Sequence, residues 1–232
     1  GLTSEMSMLD LGAGLGGPAR AITEAYGIWV TGFEAEAEIA KIGNELSAIA
    51  GLSKKAPVSV FDPETAELPK RKFDAIFSKE ALCTVENKTR FLLQIYDSLK
   101  PNGQFFITDY LVTDKGIDSP LVVAWNAEEE KPNHFWMKQH YAAGLKEAHF
   151  EVRVTEDLTA RYLGFITGGF QGLRKNIEAL IGAEEDAKKQ ADLRRALAHE
   201  SKRWAVRTEA IQAGHIAPTR FSGMVIAKTK IR

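Results

Sequence analysis

Short apolar runs alternate with stretches of helical periodicity along most of the chain. The apolar runs predict strands at residues 7–11, 29–33, 58–61, 75–78 and 104–110. The periodic stretches predict helices at residues 18–26, 37–50, 88–99 and 135–148. Strands that alternate with helices in this way form a parallel, doubly wound sheet with right-handed crossovers. The pattern therefore predicts an α/β fold.

The last third of the chain departs from this alternation. Strands are predicted at residues 150–156 and 222–229, and a long helical insertion lies between them, at about residues 163–213, with a break at Gly168 and Gly169. We expect a core at residues 1–160, a helical cap or insertion at residues 161–214, and the final strand of the core sheet at residues 215–232.

A glycine-rich turn follows the first predicted strand. It reads Leu9-Asp10-Leu11-Gly12-Ala13-Gly14-Leu15-Gly16-Gly17. The glycines at positions 12, 14 and 16 let the backbone turn sharply and approach a ligand closely, because they carry no Cβ atom. The helix that follows directs its free N–H groups toward the same ligand. Such a turn between a strand and a helix indicates a site for a nucleotide cofactor.

Two acids narrow the choice of cofactor. Glu34 ends the second strand, close to the spacing of roughly 20 residues at which an acid binds the ribose in dinucleotide folds. A carboxylate there accepts two hydrogen bonds from a ribose diol. Asp10, just before the turn, repels a pyrophosphate but suits a cofactor with an ammonium and a sulfonium group. The residues thus favour S-adenosylmethionine over NAD, with an NAD-dependent oxidoreductase as the less favoured alternative.

Further segments extend this pattern. They are Val30-Thr31-Gly32-Phe33-Glu34, Val58-Ser59-Val60-Phe61-Asp62, Phe73-Asp74-Ala75-Ile76-Phe77-Ser78 and Leu99-Lys100-Pro101-Asn102-Gly103-Gln104. Together with the glycine turn, they resemble the motifs of class I S-adenosylmethionine-dependent methyltransferases. The resemblance implies a Rossmann-like methyltransferase fold, with a doubly wound, mostly parallel sheet of seven strands. In that fold the strands predicted at residues 150–156 and 222–229 form the antiparallel edge of the sheet. In that fold Asp10 and the three glycines shape the methionine side of the cofactor site, Glu34 holds the ribose and Asp62 holds the adenine amine. Members of the family usually carry helices before the glycine motif, so the resemblance also implies a fragment or a lost lid.

The ends of the fourth and fifth predicted strands resemble a narrower group. The segments are Phe77-Ser78-Lys79-Glu80-Ala81-Leu82 and Ile107-Thr108-Asp109-Tyr110. They are similar to those of the phosphoethanolamine and related small-amine N-methyltransferases, although Thr84 stands where that group often has histidine. The resemblance implies methyl transfer to an amine nitrogen by in-line displacement. O- or C-methylation of a hydroxylated aromatic or lipid-like small molecule stays open, as does cofactor binding without catalysis.

The substrate is expected beyond the carboxyl ends of the strands, near the switch point of the sheet. Glu80, Asp109 and Tyr110 are the candidate catalytic residues there, and Ser78 joins the cofactor site. Each catalytic candidate has a structural alternative: Glu80 as a helix cap, Asp109 as an acid that ends a strand, and Tyr110 as a half-buried wall of the pocket. Methyl transfer depends largely on positioning, so no catalytic triad is expected.

Composition agrees with a small-molecule enzyme. Of the 232 residues, 44% are hydrophobic, and the formal net charge of -1 gives no electrostatic reason to expect a nucleic-acid partner. The single cysteine, Cys83, excludes an internal disulfide and points to a reducing, cytoplasmic setting. No apolar run approaches the roughly 20 residues of a membrane span, and the scattered histidines predict no metal site. The helical insertion also suggests a homodimer.

Overall fold

Strands and helices alternate along the chain and build one sheet. The computed structural model describes residues 2–226, without the side chains of Arg174 and Lys175. The strands are β1 (Ser7–Leu11), β2 (Trp29–Glu34), β3 (Val58–Val60), β4 (Phe73–Lys79), β5 (Leu99–Val112), β6 (Phe150–Asp157) and β7 (Ile216–Val225). The helices are α1 (Gly17–Tyr26), α2 (Ala37–Ile49), α3 (Lys88–Ser98), α4 (Pro120–Ala127), α5 (Lys138–Glu147), α6 (Thr159–Ala183) and α7 (Ala187–Gln212). Short 3-10 turns are at Leu82–Thr84 and Asp114–Gly116.

The described strands form a seven-stranded sheet in the order β3-β2-β1-β4-β5-β7-β6. β1 pairs in parallel with β2 and with β4, β2 pairs in parallel with β3, and β4 with β5. The chain extends the sheet from β1 toward one edge, returns, and extends it toward the other edge. The switch point therefore lies between β1 and β4. This order confirms the predicted α/β fold with a doubly wound, mostly parallel sheet.

The register of the strand pairs brings the candidate residues to one edge of the sheet. Leu11 at the end of β1 lies beside Phe33 of β2 and Ser78 of β4. Lys79 at the end of β4 lies beside Thr108 of β5. The residues that directly follow these positions are the glycine turn, Glu34, Glu80 and Asp109. Parallel pairing thus places them all toward the carboxyl ends of neighbouring strands, although Asp109 lies inside β5 and does not end it.

Apolar packing and helix caps explain why the elements next to the site form. Met8 of β1, Ala19 of α1 and Val30 of β2 belong to one buried cluster, which holds α1 against the sheet. α3 begins after Asn87, whose side chain accepts the N–H of Arg90 at 3.0 Å. A cap of this kind stabilises a helix by about 1 kcal/mol. The start of α3 is therefore fixed, and it lies close to the end of β4 in the chain.

Three elements differ from the sequence-based expectation. β7 begins at Ile216, before the predicted start at residue 222, because the strand extends through Pro218 even though proline donates no backbone hydrogen bond. The predicted strand residues 227–229 lie outside the described residues. α6 runs without interruption through Gly168 and Gly169, since a glycine costs a helix about 1 kcal/mol relative to alanine but does not end it. The break comes instead before Asp186, which caps α7. The short helix α4 was not predicted.

The described chain divides into two compact units. The first comprises residues 2–110, 134–156 and 219–226, and the second comprises Leu111–Asn133 and Asp157–Pro218. Within the second unit, the carboxylate of Glu129 pairs with Arg203 and Arg207 of α7, each at 2.6 Å. The guanidinium of Arg207 also lies over the ring of Trp125, 5.8 Å from its centroid. These contacts fasten α4 and the turn after it to α7.

Candidate active site

The glycine turn between β1 and α1 is held by hydrogen bonds to the end of β2. The N–H groups of Gly12 and Ala13 donate to the carbonyl of Phe33 at 2.9 and 3.0 Å. Gly12, Gly14 and Gly16 have φ angles of 73°, 54° and 72°, in the left-handed region that residues with a Cβ rarely adopt. The backbone of the turn therefore favours glycine at all three predicted positions.

The three glycines differ in what an added side chain would meet. A Cβ on Gly12 would lie 2.1 Å from the Cβ of Ala81, and one on Gly16 would lie 2.9 Å from Cγ2 of Val58. A Cβ on Gly14 would meet no atom within 4 Å. Gly12 and Gly16 are therefore required for packing within the protein, whereas Gly14 presents bare backbone to open space where a ligand can approach.

The carboxylate of Glu34 lies against this turn. One oxygen accepts the N–H of Gly14 at 2.9 Å, and the other accepts the N–H of Glu36 at 3.0 Å. The side chain is half-buried. Because each carboxylate oxygen has two lone pairs, both can accept a further hydrogen bond. This arrangement fits a ribose diol, in which two neighbouring hydroxyl groups donate.

Asp10 is buried in β1 directly before the turn. The residue is 1% exposed, and its Oδ2 has no hydrogen-bond partner among the described residues. Burial, and to a lesser extent the charge of Glu34, raise the pKa of Asp10 from 3.8 to about 7. A cation bound nearby would favour the ionised form and lower this pKa. The surroundings of Asp10 thus suit a cationic cofactor rather than a pyrophosphate.

Ser78 and Asp62 use their side-chain oxygens within the protein. The buried Ser78 hydroxyl donates to the carbonyl of Leu11 at 3.1 Å, which ties β4 to β1. The exposed Asp62 carboxylate accepts the N–H of Glu64 and the hydroxyl of Thr65, both at 2.9 Å. Asp62 thus stabilises the turn after β3. The cofactor-binding roles of both residues stay predictions.

Glu80 and Tyr110 are joined at the ends of β4 and β5. The Tyr110 hydroxyl donates to Oε2 of Glu80 at 2.9 Å, and the Lys79 ammonium lies 3.3 Å from the other oxygen. Glu80 has a φ angle of 59°, in the left-handed region that is uncommon for a residue of this type. Glu80 does not cap α3, because Asn87 does. The two candidates therefore form one hydrogen-bonded unit, and Tyr110 is the donor.

Asp109 is almost fully enclosed, with 1% of the residue exposed. Its Oδ1 accepts the N–H groups of Cys83 and Tyr110 at 3.1 and 3.0 Å. Its Oδ2 has no hydrogen-bond partner within the described part of the chain. Burial raises the pKa of Asp109 to about 6, although the charge of Lys88 and these hydrogen bonds oppose the rise. Oδ2 is thus the position at which Asp109 can accept a further N–H or O–H donor.

Sequence reasoning missed a buried group of side chains around Asp109. Its members are Cys83, Lys88 and Tyr141. Burial, and then the charge of Asp109, raise the pKa values of Cys83 and Tyr141, whereas burial lowers the pKa of Lys88. The sequence offers one weak signal, which marks Lys88 as unusual but does not reveal the group. Lys88 stands directly after the capping residue Asn87, at the positive end of a helix, where a lysine is electrostatically unfavourable.

Two kinds of feature are absent from the described residues. Within 2–226, no cluster of histidine, cysteine and acidic side chains is arranged to hold a metal ion. No helix in the same range is both long enough and apolar enough to cross a membrane.

Comparison with known proteins places this geometry in context. The phosphoethanolamine N-methyltransferase of Plasmodium falciparum (isolate 3D7) is 35% identical over 187 residues, which are 78% of this chain and 66% of that protein. The glycine/sarcosine/dimethylglycine N-methyltransferase of Actinopolyspora halophila is 26% identical and covers 83% of this chain and 34% of its own length. The chain therefore spans between about one third and two thirds of these relatives.

Structural comparison gives the same fold. The structure of Haemonchus contortus phosphoethanolamine N-methyltransferase 2 in complex with S-adenosyl-L-methionine superposes with a TM-score of 0.81 and 20% sequence identity. It covers 98% of this chain and 50% of that chain. The family model of the methyltransferase domain matches residues 2–154, which include the glycine turn, Glu34, Glu80 and Asp109. Since this match extends over well more than half of the sequence, the chain belongs to the family of methyltransferase domains.

Proposed function

We propose that this protein binds S-adenosylmethionine at the glycine turn and transfers its methyl group to the nitrogen of a small-molecule amine. The observation that carries the cofactor assignment is the pairing of Gly14 with Glu34. The open position above Gly14 lets a ligand approach the backbone, and the adjacent Glu34 carboxylate has lone pairs for a ribose diol. Membership of the methyltransferase-domain family supports the same cofactor.

The charges at this edge of the sheet support a cationic cofactor. Asp10 is buried with one unpartnered oxygen, so a bound ammonium group would supply the missing interaction. Glu34 lies close enough for its negative charge to raise the pKa of Asp10. A pyrophosphate would instead meet two carboxylates and be repelled. The donor set therefore fits S-adenosylmethionine better than NAD.

The acceptor is proposed from Asp109 together with the relatives. The unpartnered Oδ2 of Asp109 can accept a hydrogen bond from an amine N–H. The names of the two curated relatives reported above place phosphoethanolamine, glycine, sarcosine and dimethylglycine among amine acceptors. An amine acceptor is thus consistent with both the buried carboxylate and the similarity. Glycine methylation and phosphoethanolamine methylation share the same chemistry at nitrogen.

The mechanism follows from what these side chains can do. S-adenosylmethionine, when bound, supplies an electrophilic methyl group on a sulfonium. Asp109 accepts a hydrogen bond from the amine and aims the nitrogen lone pair, which forms the new C–N bond as the C–S bond breaks. Glu80, whose side chain is 21% exposed, takes the proton that the nitrogen loses and passes it to water. Tyr110 donates to Glu80 and fixes its orientation.

Calorimetry and a transfer assay test the proposal. We expect S-adenosylmethionine and S-adenosylhomocysteine to bind and NADH not to bind. With labelled S-adenosylmethionine, the label is expected on the nitrogen of phosphoethanolamine, glycine or sarcosine. Label only on a phenolic oxygen or an isoprenoid carbon would replace the amine by the alternative substrate classes. Cofactor binding without transfer to any acceptor would indicate a binding protein, and binding of NADH alone would refute the cofactor assignment.

Three further parts of the expectation stay proposals. The buried single cysteine, Cys83, supports a reducing, cytoplasmic setting. A substrate-capping role for residues 161–214 and a homodimer are both tested with the intact chain. Light scattering gives the molar mass, and a value equal to the 25.6 kDa of one chain would refute the dimer. Charge-reversed residues on the exposed faces of α6 and α7 that leave the Michaelis constant for the acceptor unchanged would refute the cap.

A further inference from the structure

Lys88 is a buried lysine that the proposed mechanism does not use. It is the first residue of α3 and is 3% exposed. Lysine is almost never fully buried unless its charge is paired, and the first turn of a helix is the end at which a cation is unfavourable. The position of Lys88 therefore cannot be explained by the stability of α3, and another interaction must hold it there.

The ammonium of Lys88 ties together two segments of the chain. It donates to the carbonyl oxygens of Cys83 at 3.3 Å and Val85 at 2.7 Å, and also to the carbonyl of His134. A lysine ammonium has three N–H donors, so all of them are engaged by backbone. Lys88 has no donor left for a substrate and acts through the segments that it holds, namely residues 83–85 after β4 and His134 in the loop that leads to α5.

Asp109 binds the other backbone group of the same residue, Cys83. Its Oδ1 accepts the N–H of Cys83 at 3.1 Å, while Lys88 binds the carbonyl of Cys83. The titratable groups that face Asp109 are Lys88 from α3, Cys83 from the turn after β4 and Tyr141 from α5. Lys88 is the cation among them, so it is the countercharge of the buried carboxylate.

Glu80, three residues before Cys83 in the chain, has a strained backbone. Its φ angle of 59° is rarely adopted by a residue with a side chain, and such a conformation persists only where the surroundings fix it. The Cys83 thiol donates to the carbonyl of Glu80 at 3.6 Å. The Cβ of Ala81 packs so closely on Gly12 that a Cβ added to Gly12 would lie 2.1 Å from it. Fixing Cys83 therefore fixes the backbone that presents the Glu80 carboxylate to Tyr110.

We propose that Lys88 is a positioning residue for methyl transfer. It holds the backbone of residues 80–85, and with it the Glu80 carboxylate, in place beside Tyr110. The catalytic consequence rests on the proposed function, whereas the structural consequence does not. Lys88 binds neither the glycine turn nor Glu34, so its loss is expected to affect the reaction more than the affinity for the cofactor.

The variant Lys88→Met tests this inference, with Lys41→Met on the exposed surface of α2 as the matched control. In Lys88→Met we expect a dissociation constant for S-adenosylmethionine within about threefold of the parent value and a kcat that is about 100-fold lower, because a displacement of about 1 Å can cost that much. The acid limb of the pH profile of kcat is expected to move to higher pH, because Lys88 lowers the pKa of Asp109. Lys41→Met should match the parent in all three measurements. A parental kcat in Lys88→Met, or a lower kcat with an unmoved acid limb, would overturn the inference.

Hydrogen–deuterium exchange tests the structural consequence without any activity. We expect the amides of residues 81–85 to exchange at least tenfold faster in Lys88→Met, and equal rates would overturn the inference. If Lys88→Met does not fold, the double variant Lys88→Met/Asp109→Asn replaces it, because it leaves neither of these two buried charges unpaired. The double variant is then compared with Asp109→Asn. Faster exchange of residues 81–85 in the double variant supports the inference, and equal rates overturn it. If the parent protein transfers no methyl group, the proposed function fails while the exchange data still decide the role of Lys88.

Discussion

Replacement of Gly14 by alanine separates a cofactor-binding role of the glycine turn from a purely structural one. Gly14 has a φ angle of 54°, and a Cβ there would meet no protein atom within 4 Å. Gly51 has the same two properties, with a φ angle of 72° and open space at the Cβ position. Gly51 lies just after α2, in the segment that leads to the start of β3. It is therefore far from the carboxyl ends of the strands, where the glycine turn lies. Gly51→Ala is therefore a matched control for Gly14→Ala.

The two variants should lose similar stability but different amounts of cofactor affinity. A left-handed alanine costs about 1–2 kcal/mol, which for a chain of this size lowers the melting temperature by about 2–4 °C per kcal/mol. Only Gly14→Ala would place a methyl group where the cofactor approaches the backbone. Overpacking of about 1–3 kcal/mol corresponds to a dissociation constant raised roughly 5- to 150-fold.

Calorimetric titration with S-adenosylmethionine and differential scanning calorimetry provide both quantities. Gly51→Ala should keep the dissociation constant of the parent protein within twofold. If Gly14→Ala also binds S-adenosylmethionine within twofold of the parent while both variants melt at similarly lowered temperatures, the space above Gly14 does not receive the cofactor. The reasoning that assigns the glycine turn to the cofactor would then be wrong.

Three further variants test charges in and outside the site. Glu34→Gln should raise the dissociation constant for S-adenosylmethionine by about 10- to 150-fold, since hydrogen bonds to a charged group contribute about 1.5–3 kcal/mol. The exposed Glu45→Gln should leave this dissociation constant unchanged in the same titration. Because the pKa of Asp10 is raised to about 7, the folded protein keeps a proton that the unfolded chain releases above pH 3.8, so the free energy of unfolding falls as pH rises toward 7. Urea unfolding measures this dependence: between pH 5 and pH 8, the decrease in the free energy of unfolding should be about 3 kcal/mol smaller in Asp10→Asn than in the parent protein. An equal decrease in both proteins would contradict the buried-acid explanation. Glu129→Gln should destabilise the fold by about 1–3 kcal/mol by weakening its two arginine contacts, whereas the neighbouring exposed Glu130→Gln should not, as thermal melting would show.

The parts of the fold that the sequence predicts are those determined by local pattern. The glycine turn could be identified because left-handed backbone and close packing restrict its positions to glycine, and Glu34 because it ends an apolar strand. β7 begins earlier than predicted because the strand extends through Pro218, a residue type that is rare inside strands. α6 continues through Gly168 and Gly169 because glycine weakens a helix without ending it.

The surroundings of the catalytic candidates could not be predicted from local pattern. Glu80, Asp109 and Tyr110 were identified one by one, but their contacts depend on the register between β4 and β5. The enclosure of Asp109 also depends on Cys83, Lys88 and residues of α5, which are separated from it in sequence. Burial of a charged side chain is a property of tertiary packing, and a lysine in a polar segment such as residues 86–90 resembles an ordinary surface residue.

The buried acids connect the stability of this fold with the cationic cofactor that we propose for it. Asp10 and Asp109 each have a buried oxygen without a described hydrogen-bond partner, and an unsolvated polar atom costs free energy of folding. Glu34 adds to this cost at Asp10, whereas Lys88 reduces it at Asp109. Where water is excluded, the attraction between a carboxylate and a bound cation is screened less than in solvent. The same burial that destabilises the protein at Asp10 therefore strengthens binding of a cationic cofactor, so removing this charge should stabilise the fold and weaken cofactor binding together.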